Sequence, residues 1–141
     1  MIILDTNVMS EIMRPRPALS VMAFLDTQAD TSLYLTTVTV AEIMGGVESH
    51  KEEARRDDLR ARADRMLALF AGRELGFDHS ASLIFGTVLG ETRRRGIAVS
   101  FQDCMIAAIA LHRGCTVATR DTVPFRAAGV DVIDPFEDDE K

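Results

Sequence analysis

Short runs of apolar, strand-forming residues alternate along this chain with longer stretches of helical periodicity. That order restricts the fold more than any other feature. The strand-like runs are Ile2-Ile3-Leu4, Leu33 to Thr36, Glu74 to Phe77, Thr116 to Thr119 and Val130 to Ile133. Helices are predicted from Asn7 to about Met13, Ala18 to Ala29, Val40 to Val47, Lys51 to Phe70, His79 to Arg95 and Phe101 to Arg113. Strands separated by helices imply a parallel sheet covered on both faces. The expected class is therefore α/β, a three-layer α/β/α sandwich with a mainly parallel central sheet.

Local signals set the helix ends. Pro15 and Pro17 break the chain, and Pro17 suits the first turn of the helix that follows. Thr39 is expected to open the helix carrying Glu42, Asp78 and Ser100 to cap the two later helices, and Gly96 and Gly114 to stop them. The long charged helix shows one apolar stripe, Leu59, Ala63, Met66, Leu67 and Phe70. From Met105 to Leu111 the last of these helices is apolar almost all round, so it should be central. No linker or repeat divides the chain, which predicts a single domain over 1–136 and a frayed acidic tail over 137–141.

The chain has 141 residues, 47% of them apolar, enough for one sizeable core. No apolar run is long enough to cross a bilayer, and the opening strand argues against a signal peptide. Cys104 and Cys115 lack a CxxC partner or nearby histidines at ligand spacing, so they read as buried thiols in a reducing cytoplasm rather than zinc ligands. The net charge is −6, which opposes a nucleic-acid partner. Residues 137–141 alone carry −3, however, and two divalent cations would make the remaining body slightly positive.

Four acids stand where an apolar segment begins or ends: Asp5, Glu42, Asp103 and Asp121. Asp5 and Asp121 follow buried strands, at the sheet edge where such folds bind ligands. Glu42 and Asp103 lie in early turns of helices that can return to that edge. Each acid also has a structural reading. Thr39-x-x-Glu42 and Ser100-x-x-Asp103 match the capping box, Asp5 can cap a helix and Asp121 can sit in a turn. The conjunction favours chemistry, because Asp103 opens the most buried helix and Asp5-Thr6-Asn7 directly follows a buried strand. Carboxylates brought together repel one another and call for divalent cations. Mg²⁺ or Mn²⁺ held this way is common equipment for hydrolysing a phosphodiester.

At these residues the chain resembles the PIN-domain ribonucleases, in particular toxins of the VapC/FitB type. The resemblance covers nearly the whole length. It rests on Ile-Ile-Leu-Asp-Thr-Asn at 2–7, Thr-Val-Ala-Glu at 39–42 followed by Gly45, and Asp103 before Ile106-Ala107-Ala108. It continues through Val-Ala-Thr-Arg-Asp at 117–121, Phe125, Gly129-Val130 and Pro135-Phe136. Asp5, Glu42, Asp103 and Asp121 match that family's metal-binding acids, and Thr119 its hydroxyl after the fourth strand. Two positions depart: Asp121 stands where Asn is frequent, and Pro124 where a polar residue is usual.

The resemblance implies an endoribonuclease that uses Mg²⁺, with Mn²⁺ able to substitute. Asp5 and Asp103 would be the principal ligands, Glu42 and Asp121 would complete the ring, and Thr6, Asn7 and Thr119 would orient ligands or phosphate. It further implies a cognate antitoxin, a toxin homodimer, and contact with DNA only through the antitoxin. An aspartyl phosphotransferase is disfavoured because only Lys51 and Lys141 are available to neutralise a phosphoryl group. A dinucleotide site lacks GxGxxG after Leu4. The remaining alternative is a metal-binding, partner-binding module that acts in a repressor complex without nuclease activity.

Overall fold

The computed structural model describes residues 1–137, and the expectation for the acidic tail falls almost wholly outside them. Among the described residues the strands are β1 (Ile2–Leu4), β2 (Leu33–Thr36), β3 (Glu74–Leu75), β4 (Thr116–Ala118) and β5 (Val132–Ile133). The helices are α1 (Thr6–Ile12), α2 (Leu19–Asp26), α3 (Thr37–Glu48), α4 (Glu53–Ala68), α5 (His79–Arg94), α6 (Phe101–Arg113) and α7 (Thr122–Ala127).

All strand pairs are parallel, in the order β3-β2-β1-β4-β5. Ile2 stands opposite both Leu33 and Thr116, so β1 is flanked in register on both sides. Successive side chains of a strand face opposite ways. Ile3 and Val117 accordingly join one core with Ile106, Ala110 and Phe125. Leu4 and Ala118 join a second core with Val8, Val21, Leu35 and Ile43. These two cores on either face of one sheet make the three-layer sandwich that the alternating elements predicted.

Helix α6 is the central one, with Cys104 and Ile106 to Ala110 all buried. It stops at Gly114, whose φ of 65° lies in the left-handed region that glycine tolerates best. The stripe on α4 packs inward as expected: Ala63 and Phe70 are buried in the second core, and Leu59, Met66 and Leu67 lie against it.

Two expectations are corrected. Helix α3 begins at Thr37, not Val40, and its cap is Thr36, whose hydroxyl accepts the Thr39 N–H at 3.1 Å. Thr39 is thus inside the first turn, and no capping box with Glu42 forms. The second correction is α7, which the sequence reading left out. Pro124 falls within its first turn, where a proline is tolerated because that turn's N–H groups have no helical partner.

Candidate metal centre at the carboxyl edge of the sheet

Chain connectivity departs from β1 toward β2 on one side and β4 on the other, so the crevice beyond their carboxyl ends lies at a topological switch point. Asp5 sits in that crevice. Its backbone N–H donates to the Ala118 carbonyl at 3.0 Å, which continues the β1–β4 ladder up to the acid itself. The Asp5 side chain caps α1, with Oδ1 accepting the Thr6 N–H at 2.8 Å. Oδ2 accepts the Thr119 hydroxyl at 2.8 Å and, more weakly, the Asn7 amide at 3.4 Å.

Asp5 is only 4% exposed, yet no Lys, Arg or His among the described residues forms an ion pair with it. Burial pushes its carboxyl above the usual range. The Thr119 and Thr6 bonds partly oppose that shift, and the nearby charges of Glu42 and Asp121 add to it. A buried carboxylate is costly unless paired. Hydrogen bonds supply part of the compensation here, and a cation would supply the rest.

Thr119 organises the other wall. Its oxygen accepts the Asn7 amide at 3.1 Å and the Asp121 N–H at 3.0 Å while its proton goes to Asp5. Asn7 Oδ1 in turn accepts the Arg120 N–H at 3.3 Å. The segment after β4 is thereby stitched to the segment after β1. Thr119 is fully buried, so this hydroxyl has no water to fall back on.

Glu42 projects from the second turn of α3 and is exposed, with Oε1 accepting the Thr6 hydroxyl at 2.9 Å. Asp103 lies in the first turn of α6, where its N–H donates to the Ser100 hydroxyl at 3.1 Å. Its half-buried carboxyl is pushed up to about 6, first by burial and then by the charges of Asp5 and Asp121. Asp121 precedes α7, is exposed and makes no side-chain capping bond.

The four acids thus share one electrostatic neighbourhood, as the mutual effects on Asp5 and Asp103 show. They do not close into a cage. Among the described residues, no three His, Cys, Asp or Glu side chains are close enough to ligate one ion together. Hydrogen bonds from Thr6 and Thr119 hold two of them, Glu42 and Asp5, in place. The donor set still fits a hard cation. It offers only oxygens, and Mg²⁺ keeps several waters and binds through one or two carboxylates.

The sequence reading did not single out Thr36, or Thr39 other than as a cap. The Thr39 hydroxyl lies 3.4 Å from those of both Thr36 and Thr6, so a row of hydroxyls, buried at Thr36 and Thr39, runs behind Glu42. The signal was present as Thr36-Thr37-Val38-Thr39, but a β-branched run reads as the end of a strand.

The sequence profile of the PIN domain matches residues 2–130. The chain belongs to the PIN-domain family. It is 46% identical over 138 residues to the plasmid stability protein StbB of Pseudomonas syringae pv. tomato, covering 97% of this chain and 99% of that protein. It is 41% identical to a VapC ribonuclease of Sinorhizobium fredii, with 97% of this chain and 99% of the relative covered. Identity to toxin FitB of Neisseria gonorrhoeae is 40%, over 98% of this chain and all of the toxin. The crystal structure of FitAcB from the same organism superposes with a TM-score of 0.91, at 40% identity, over 97% of this chain and 99% of that one. The PIN-domain chain therefore shares its fold with the matched chain of FitAcB over nearly its whole length.

Proposed function

We propose that this PIN-domain protein is a Mg²⁺-dependent endoribonuclease, the toxin of a type II toxin–antitoxin pair acting in the cytoplasm. The observation that carries the reading is Asp5, a nearly inaccessible carboxylate at the switch point that no basic side chain among the described residues neutralises. The name of one relative, VapC ribonuclease, supports the chemistry, and that of another, toxin FitB, supports the toxin role. Residues 1–136 form one folding unit in this reading.

Asp5 and Asp103 would hold the ion, with Glu42 and Asp121 contributing directly or through water. A bound Mg²⁺, or Mn²⁺ in its place, supplies the positive charge that makes a water nucleophilic at neutral pH and steadies the leaving oxygen. The protein's own part is positioning. The Thr119 hydroxyl and the Thr6 N–H fix the two oxygens of Asp5, and the Thr6 hydroxyl aims Glu42. Asn7 ties Thr119 to the Asp5 segment, so the carboxylates keep their geometry when an RNA phosphate approaches.

The expected partners are an RNA substrate, a second copy of this chain and an antitoxin whose segment covers the acids. DNA would be reached only through the antitoxin. FitAB bound to a DNA fragment, a structure with a TM-score of 0.90 to this chain at 40% identity, supports assembly of such a complex on DNA.

The test is cleavage of total RNA by the purified protein with Mg²⁺, with EDTA, and as Asp5→Asn and Asp103→Asn. Metal-dependent cleavage lost in both variants is the expected result. A second reading, a partner-binding module without nuclease activity, draws on the acids not closing around one ion. Absence of cleavage by the wild-type protein in Mg²⁺ and Mn²⁺ would favour that module.

A further inference from the structure

The side chains of Arg120 and Phe136 take no part in the metal centre, and the fold stacks one on the other. The Arg120 guanidinium carbon stands 3.7 Å from the centre of the Phe136 ring. The other arginine–phenylalanine pairs among the described residues are looser, 5.3 Å for Arg73 on Phe70 and 5.9 Å for Arg93 on Phe101.

Both partners are anchored. The Thr119 N–H donates to the Ile133 carbonyl at 2.9 Å, which keeps the segments after β4 and β5 side by side. Beyond β5 the chain turns, with Asp134 Oδ1 accepting the Phe136 N–H at 2.9 Å. The Ser20 hydroxyl of α2 donates to the Phe136 carbonyl at 3.4 Å, and the ring lies against the second core. Arg120 itself is exposed and forms no ion pair among the described residues. Its neighbours in the chain are Thr119, which holds Asp5, and Asp121. Because β4 and β2 lie on opposite sides of β1, Arg120 after β4 and Glu42 in the helix after β2 flank Asp5 from opposite sides.

We propose that Arg120 binds a phosphate of the RNA strand on the β4 side of the metal centre, and that Phe136 is its positioning residue. The inference rests on the nuclease reading and deepens it by naming a substrate contact. A polyanion must approach four carboxylates that repel it, and a fixed positive charge beside them offsets that repulsion. Stacking occupies one face of the guanidinium and leaves its N–H edges open for bidentate bonds to phosphate oxygens. An exposed stack adds little stability by itself. It does hold the fork ready, so less freedom is lost when the phosphate arrives.

The experiment compares wild type with Arg120→Gln, Arg120→Lys, Phe136→Leu, Phe136→Tyr, the double variant Arg120→Gln/Phe136→Leu and, as a control on α7, Arg126→Gln. A labelled single-stranded RNA is bound in EDTA over a range of salt, and cleavage kinetics are measured in Mg²⁺. Arg120→Gln is expected to raise KM about tenfold with kcat within about twofold, as for loss of one charge-assisted contact. Its slope of log K against log salt should shrink by about 0.7, the value for one phosphate on a single strand. Arg120→Lys and Phe136→Leu should keep the slope and raise KM about threefold, through loss of the fork and of the stack. Phe136→Tyr should behave as wild type. The double variant should be no weaker than Arg120→Gln alone, because Phe136 acts through Arg120. Arg126→Gln should leave KM, slope and Tm unchanged.

If wild type cleaves RNA while Arg120→Gln keeps its KM and salt slope, the assignment is overturned. A raised KM with lowered Tm and an unchanged slope would also overturn it, making the stack a latch for the end of the chain. Should Arg120→Gln fail to fold, Arg120→Lys with the KM of wild type overturns it equally. Unchanged RNA binding with weakened inhibition by the antitoxin would assign Arg120 to a protein contact instead. A wild type that neither binds nor cuts RNA fails the nuclease reading itself, and this contact with it.

Discussion

At the residue scale the decisive chemistry is a pair of carboxyls held above their ordinary range with no cation among the described side chains. Asp103, pushed up to about 6, sets a sign that can be worked out. Its folded value exceeds an unfolded one of about 3.9, so the folded protein binds the extra proton between those values. Stability of the metal-free protein should therefore be higher near pH 5 and fall as pH rises through about 6, the raised carboxyl of Asp5 adding to the trend. Thermal melts in EDTA across that window check it, and a flat profile would contradict it. Asp103→Asn should flatten the curve and raise Tm at pH 7.5 by a few degrees, on the order of 1 kcal/mol, while cleavage drops by about a hundredfold or more. A variant that unfolds instead would return Asp103 to a capping role. Asp121→Asn should be milder, since asparagine still offers an oxygen. Thr119→Val leaves Asp5 without its 2.8 Å donor and should lower activity about ten- to a hundredfold, with Thr119→Ser recovering most of it. Equal rates for the valine and serine variants would show that the hydroxyl does not position Asp5.

At the scale of elements, strands and long helices were legible wherever periodicity and caps agreed. Ser100 before α6 and Gly114 after it mark that helix in the sequence as they do in the structure. Helix α3 shows where the signals compete. Thr37-Val38-Thr39 is β-branched and prolongs the strand by local preference, but the Thr36 hydroxyl captures the Thr39 N–H and starts the helix earlier. The acid at 42 then moves from a capping position to the second turn, where it meets Thr6. This distinction is measurable. Thr36→Ala removes the actual cap and should cost about 1 kcal/mol. Glu42→Gln breaks no cap and should change stability by less than about 0.5 kcal/mol, although it impairs cleavage. The reverse order in urea unfolding would restore the capping box. Helix α7 escaped notice for a different reason. Six residues with a proline carry too little periodicity to be told from a turn.

At the scale of the whole molecule, alternation predicted a parallel sheet but not the order of its strands. That order is decided by which helices can cover which face, a choice spread over both cores rather than written in any segment. It matters because placing β1 between β2 and β4 brings residues 5 and 119 together, and the site follows from that placement. The same edge constrains the partners. Met9 is fully buried, and Met13, Met44 and Met66 are partly covered by the second core, so the methionines serve packing. The exposed large apolar residues include Leu83 and Phe101, near the paired helices α5 and α6. Self-association is expected there, and sedimentation at micromolar concentration that finds only monomer would count against it. An inhibitor meets a different demand. It has to seal a site whose carboxylates pair with no basic side chain among the described residues, and a guanidinium can stand in for a metal ion through bidentate bonds. The antitoxin should therefore place an arginine against Asp5 and Asp103, and alanine at that arginine should weaken inhibition. Tightly bound complex should also no longer gain thermal stability from Mn²⁺, whereas the free toxin gains about 2.7 kcal/mol when the ion is present at a hundred times its Kd. A complex that inhibits fully yet still responds to Mn²⁺ like the free protein would place the inhibitory contact away from the acids.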